Sequence, residues 1–136
     1  AGGQALARQL RTTFNTALRT GLDGTAGVAI IDMNVLFTDV ATNPSKYGIT
    51  NFTGFACDPA KMVPAAGGSA LFCNAASAAQ LAAAGLPAAI NSIRVGANAN
   101  TWFWADGVHP SSGGHKVIAD YVISQIKEFG WVPPNL

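Results

Sequence analysis

Two residues able to exchange protons, Asp106 and His109, lie three positions apart in the run Asp106-Gly107-Val108-His109-Pro110. Pro110 disfavours a helical backbone at His109, and Gly107 gives the turn conformational freedom. We therefore expect the Asp106 carboxylate to fold back toward Nδ1 of His109. That contact would fix the imidazole tautomer and leave Nε2 to take a proton from a nucleophile. The alternative is a surface turn, because Asp, Gly and Pro are common turn residues.

The segments on either side of this run are predicted to be a strand and a helix. Residues 101–104 are a short aromatic strand candidate, and the last helix begins near Ser111 or Ser112, either of which is a good N-cap. This helix continues to about Lys127, and its predicted buried face consists of Val117, Ile118, Tyr121, Val122 and Ile126. In open α/β sheets, sites form beyond the carboxyl ends of strands, so this position favours a catalytic role.

The beginning of the chain predicts a helix followed by a buried strand. Apolar residues recur every four positions over residues 4–20, which is typical of an amphipathic helix. This apolar stripe consists of Leu6, Leu10, Phe14 and Leu18. Residues 28–33 are then rich in β-branched side chains, as expected for a strand covered on both faces of a parallel sheet. A helix followed by such a strand is half of a βαβ unit and predicts an α/β fold.

A short helix is predicted at 34–40. The chain that follows is predicted to be irregular from about residue 41 to 100, except for a helix at 77–84. Cys57 and Cys73 lie sixteen positions apart in this stretch and lack the CxxC spacing of metal or redox sites. They form either a disulfide or two buried thiols. The low charged fraction of 11% and the many small polar residues favour the disulfide, and with it an oxidising compartment.

Charge and hydropathy argue against two classes of partner. The net charge is +1 and the basic residues are scattered, with no basic patch of the kind that binds nucleic acid. No run reaches the roughly 18 uninterrupted apolar residues needed to span a bilayer. The first residues, Ala-Gly-Gly-Gln, are neither a signal peptide nor an initiator methionine, so we expect the chain to start within a longer protein.

The run from Phe103 to His115 resembles the C-terminal block of the GDSL (SGNH) family of serine esterases and lipases. It contains a strand candidate, the D-x-x-H-P motif, two serines and a Gly-His pair before a helix. The resemblance covers nearly the whole chain, although the D-x-x-H-P block is its most specific part. The supporting features are the run 15–18, the strand candidate ending at Asp32, Leu36-Phe37, Asp39-Val40, Asn43-Pro44, Tyr47-Gly48 and a cysteine-bearing loop as in secreted bacterial members.

This resemblance implies a three-layer α/β/α sandwich with a parallel sheet, of the flavodoxin-like kind. It also implies a secreted (extracellular or periplasmic) carboxylic ester hydrolase, an esterase or lipase, that needs no cofactor. In the implied Ser-His-Asp triad, His109 is the base and Asp106 orients it. The aromatic and alanine-rich loop regions are candidates to line an acyl pocket, which favours lipid-like or other hydrophobic esters.

The family's nucleophile motif, Gly-Asp-Ser, and its oxyanion motif, Gly-x-Asn-Asp, are both absent. The nearest sequence is Gly67-Gly68-Ser69-Ala70, which lies on the wrong side of the triad in chain order. Ser45, Ser77, Ser92 and Ser124 have no motif context either. We therefore expect residues 1–136 to be the C-terminal part of a single domain, whose partner is an N-terminal segment or chain that carries the catalytic serine.

Three alternatives remain open. The chain is a non-catalytic binding module of the same fold, or a metal-dependent hydrolase in which Asp106, His109 and His115 bind the metal. The third alternative concerns His115 alone: if it binds no metal, it is a capping or packing group in the first turn of the last helix. Asp32 lies at the end of a strand candidate and could approach the site, although a capping or hydrogen-bonding role suits it better.

Overall fold

A computed structural model describes residues 2–61, 73, 83 and 92–131. The chain divides into two units, Ala1–Asp32 and Met33–Leu136. The first unit contains helix α1, Gly2–Leu22, which confirms the helix expected over residues 4–20 and extends it at both ends. Its apolar stripe is exposed to solvent, and no described residue of α1 is buried. At the end of this unit, Arg19 forms an ion pair with Asp32.

The strand predicted over residues 28–33 is wrong. Gly24 and Gly27 adopt positive φ angles of 72° and 76°, and the Val28 N–H donates to Thr25 O at 3.2 Å, so the backbone turns here. The next helix already begins at Met33. A run of β-branched residues becomes a strand only when a neighbouring strand accepts its ladder hydrogen bonds, and none of the described residues pairs with this run.

The second unit contains two helices and a small parallel sheet. Its elements are α2, Met33–Thr42; a 3₁₀ turn, Pro44–Tyr47; β1, Asn51–Phe55; β2, Trp102–Trp104; and α3, Ser112–Glu128. These confirm the short helix expected at 34–40, the strand at 101–104 and the last helix. The helix expected at 77–84 lies outside the described residues, apart from position 83.

The described sheet consists of β1 and β2, which run parallel. The register aligns Asn51 with Trp102 and Phe55 with Trp104, with an irregularity between them. The sequence did not predict β1, since Asn51 and Gly54 are residue types depleted in strands. Gly54 permits close packing, because a Cβ there would lie 3.0 Å from the Trp102 ring. The protein is thus mixed α/β, as expected.

The core of the second unit forms around Phe103, the central residue of β2, which is completely buried. Its ring lies 5.8 Å from that of Phe37 and 5.0 Å from that of Phe52, measured between centroids. Aromatic pairs at such distances contribute about 0.5–1.5 kcal/mol each beyond their buried area. The other buried members of this core are Leu36, Val40, Ile49 and Val117.

A polar cluster connects α2 to the 3₁₀ turn beside this core. The Asp39 carboxylate accepts hydrogen bonds from Lys46 Nζ at 2.5 Å, from the Tyr47 hydroxyl, and from Asn43 Nδ2 at 2.8 Å. These donors hold the pKa of Asp39 well below its usual range, whereas the bond to Asp39 raises the pKa of Tyr47. The cluster fixes the turn that leads into β1.

Cys57 and Cys73 form a disulfide, as expected, with their Cα atoms 5.9 Å apart. Cys57 follows β1 and also forms an antiparallel bridge with Ile93. The disulfide and this bridge therefore join Cys73 and Ile93, respectively, to the segment that follows β1. Among the helices in the described part of the chain, none is both long and apolar enough to cross a membrane.

Helix α3 approaches the end of β2 so closely that two of its residues must be glycine. A Cβ at Gly113 would lie 2.3 Å from Asn100 O, and one at Gly114 would lie 2.2 Å from Phe103 O. These are backbone oxygens of the segment before β2 and of β2 itself, so a side chain at either position would push the helix away. Gly114 therefore sets the spacing between β2 and α3, and Gly113 that between α3 and the segment before β2.

We predict that Gly114→Ala destabilises the protein by about 1–3 kcal/mol, the usual cost of overpacking a close contact. Gly107→Ala is the matched control, because a Cβ at Gly107 meets no atom within 4 Å. Urea-induced unfolding of both variants measures the difference. Equal stability of the two variants would contradict the close approach of α3 to β2.

Candidate active site

The loop between β2 and α3 is closed by backbone hydrogen bonds on both sides of His109. The Ala105 N–H donates to His109 O at 2.9 Å, and Trp104 and Pro110 form an antiparallel bridge. The Ser111 N–H then donates to Phe103 O at 2.8 Å. The loop thus folds back along the strand from which it emerges, and its position is fixed by the buried strand.

Ser111 fixes the point where the loop enters α3. Its hydroxyl accepts the Gly114 N–H at 3.2 Å, which makes it the N-cap of the helix, and donates to the carbonyl oxygen of Trp102. An N-cap of this type contributes about 1 kcal/mol to helix stability. Since Ser111 is buried and uses its hydroxyl in both bonds, we assign it a structural role.

Asp106 lies at the centre of the loop and is only 8% exposed. Its Oδ1 accepts the backbone N–H of Val108 at 2.9 Å and that of His109 at 2.8 Å. The same carboxylate contacts Nδ1 of His109, at 2.8 Å from Oδ2 and 3.0 Å from Oδ1. The fold-back contact expected from the sequence is therefore present, and backbone donors hold the carboxylate in place.

His109 itself extends toward solvent, with 57% of its side chain exposed. An ionised carboxylate only accepts hydrogen bonds, so Nδ1 must carry the proton in this contact. The neutral imidazole then has an unprotonated Nε2, which is the state of a general base. Among the described residues, none bonds to Nε2.

A cleft of about 330 Å³ lies beside the imidazole. Among the described residues, the apolar lining consists of Ala56, Ile93, Ala99, Ala105, Pro110 and the disulfide-bonded Cys57 and Cys73, and the polar lining of His109, His115, Ser111 and Ser112. The sequence analysis named the two histidines and, as candidate walls, only loop regions in general, without singling out Ala56, Ile93 and Ala99. No local signal marks them, because the fold brings them together from distant positions.

His115 lines the same cleft from the first turn of α3, and its backbone N–H donates to the backbone oxygen of Ser111 at 2.8 Å. The described residues contain no group of three His, Cys, Asp or Glu side chains arranged to hold a metal ion. Asp106, His109 and His115 are therefore not gathered as a ligand set.

The serines and Asp32 complete the set of candidates. Within the described ranges, no serine hydroxyl is hydrogen-bonded to His109; the Ser124 hydroxyl, for example, donates to Tyr121 O at 2.7 Å. Ser69 and Ser77 lie outside those ranges. Asp32 belongs to the first unit, where it pairs with Arg19, as the hydrogen-bonding interpretation expected.

Comparisons of the chain with family models, with curated proteins and with solved structures find no significant match. The functional assignment therefore depends on the geometry of the Asp106–His109 loop and of the cleft beside it.

Proposed function

We propose that this chain is the C-terminal part of a secreted GDSL-type carboxylic ester hydrolase, an esterase or lipase, in which it supplies the base and acid of a Ser-His-Asp triad. The observation that carries this proposal is the hydrogen bond between the Asp106 carboxylate and Nδ1 of His109, on a half-exposed imidazole that lines a cleft. A buried acid, a solvent-facing imidazole and an adjacent cavity are three of the features that acyl transfer needs; the nucleophile and the oxyanion hole are the others.

In this mechanism the serine hydroxyl comes from an N-terminal segment outside the 136 residues. Nε2 of His109 takes the hydroxyl proton while the serine oxygen bonds to the ester carbonyl carbon. Collapse of the tetrahedral intermediate breaks the bond to the alcohol oxygen, which receives the proton from Nε2. Water then repeats the sequence on the acyl-enzyme, so one ester and one water give one acid and one alcohol.

Asp106 orients the imidazole and stabilises the imidazolium that forms, without taking the proton. Its two backbone donors, the N–H groups of Val108 and His109, keep the carboxylate aimed at Nδ1 throughout the cycle. No metal or organic cofactor takes part in this chemistry.

The serine-bearing segment would also complete the fold as a three-layer α/β/α sandwich. The exposed apolar stripe of α1 supports this, since three of its members are more than half exposed: Leu6 57%, Leu10 61% and Phe14 66%. Each large side chain left exposed forgoes roughly 1.5–3 kcal/mol of burial. A sheet extended by further parallel strands would cover such a helix face. Secretion is supported by the disulfide.

We predict that His109→Ala lowers kcat of the complete enzyme by at least about 10²–10⁴-fold, because general base catalysis contributes that much. Asp106→Asn should lower kcat by the same factor as His109→Ala or by a smaller one, since the members of a triad act as a unit. His115→Ala, the matched control in the same cleft, should retain most of the activity. Hydrolysis of p-nitrophenyl butyrate measures all three variants. Equal losses in the two histidine variants, together with inhibition by a chelator, would favour the metal-dependent alternative.

The location of the nucleophile gives a separate prediction. A fluorophosphonate probe should label one serine of the complete enzyme, in a tryptic peptide that lies outside residues 1–136. Residues 1–136 expressed alone should neither bind the probe nor hydrolyse the ester, because His109 then has no hydroxyl to activate. Labelling of Ser69 or of another serine within residues 1–136 would show that the nucleophile belongs to this chain, which contradicts the proposal. An enzyme that is neither labelled nor active would favour the non-catalytic binding module.

A further inference from the structure

None of the described residues that line the cleft beside His109 is Lys, Arg, Asp or Glu, and the described apolar part is made of alanines, Ile93, Pro110 and the disulfide. A charged group placed there would lose its hydration without gaining a counter-charge, which is costly. The cleft therefore suits a neutral, apolar group.

The cleft is also small and partly open to solvent. Its volume of about 330 Å³ is about twice that of a dry protein cavity of about 150 Å³ that binds benzene. A chain of roughly ten non-hydrogen atoms fills such a space. Longer groups would extend beyond the walls into solvent, where further methylenes gain no contact with the protein.

The walls are fixed relative to the imidazole by a short series of backbone hydrogen bonds. The Cys57 N–H donates to Ala105 O at 3.0 Å, and the Ala105 N–H donates to His109 O at 2.9 Å. Cys57 is in turn bonded to Cys73 and bridged to Ile93. Two consecutive hydrogen bonds thus connect the disulfide wall to the loop that carries His109.

We propose that this cleft is the acyl subsite, which takes a neutral acyl chain of up to about ten carbons, with Ala99 and Ile93 among its walls. This inference rests on the esterase proposal. The acyl group, and not the alcohol, occupies the cleft because the acyl group stays bound through both halves of the reaction, whereas the alcohol must leave after receiving its proton from Nε2.

The test measures kcat/KM of the complete enzyme for p-nitrophenyl esters from acetate to palmitate. The values should rise with acyl length up to about eight to ten carbons and then stop rising, because the cleft is full. Ala99→Leu, which adds three carbons to the wall, should move this limit to shorter chains. It should lower the decanoate-to-acetate ratio of kcat/KM by about tenfold or more, as expected when methylenes lose a pocket. Ile93→Ala should move the limit in the opposite direction.

Ala119→Leu is the matched control, because Ala119 is exposed on α3 and does not line the cleft; its profile should equal that of the unmodified enzyme. If the unmodified enzyme and the Ala99→Leu, Ile93→Ala and Ala119→Leu variants all hydrolyse the esters with the same dependence on acyl length, the acyl-subsite assignment is overturned while the esterase proposal stands. Selectivity that follows the length of the alcohol, measured with alkyl acetates, would also overturn it. Absence of hydrolysis at every chain length would overturn both.

Discussion

The hydrogen bonds of the Asp106 carboxylate are the interactions on which the geometry of the candidate active site depends. One carboxylate accepts two backbone N–H groups of its own loop and contacts Nδ1 of His109. The backbone bonds fix where the carboxylate points, and the third contact fixes which nitrogen of the imidazole carries the proton. Because both residues belong to one short loop, their geometry is set locally.

That loop is held in place by the contact between a buried strand and a helix. Phe103 anchors β2 in the core, while the close approach of Gly114 to its carbonyl oxygen brings α3 against the strand. Ser111 bonds to both elements. The loop from residue 105 to 110 must therefore close over a short span, which turns the imidazole outward toward the cleft and keeps the acid buried.

Features set by local sequence were predictable, whereas features set by pairing across the chain were not. The Asp106–His109 contact and the helices α1 and α3 follow from turn residues, caps and a 3.6-residue period, all of which act within a few residues. The strand predicted at 28–33 failed because β-branched composition does not supply a pairing partner. Strand β1 was missed because Asn51 and Gly54 are residue types depleted in strands, and the partner that stabilises it, β2, lies about fifty residues later. The walls Ala99 and Ile93 also depend on such long-range contacts.

The most direct test of the central claim is the tautomeric state of His109, read from the imidazole nitrogens by ¹⁵N–¹H correlation NMR on the complete protein. At a pH where the ring is neutral, His109 should carry its proton on Nδ1, with Nε2 unprotonated, and Asp106→Asn should change this pattern. His115, which has no described carboxylate partner, serves as the internal reference. A proton on Nε2 of His109, unaffected by Asp106→Asn, would contradict the claim that Asp106 prepares His109 as a base.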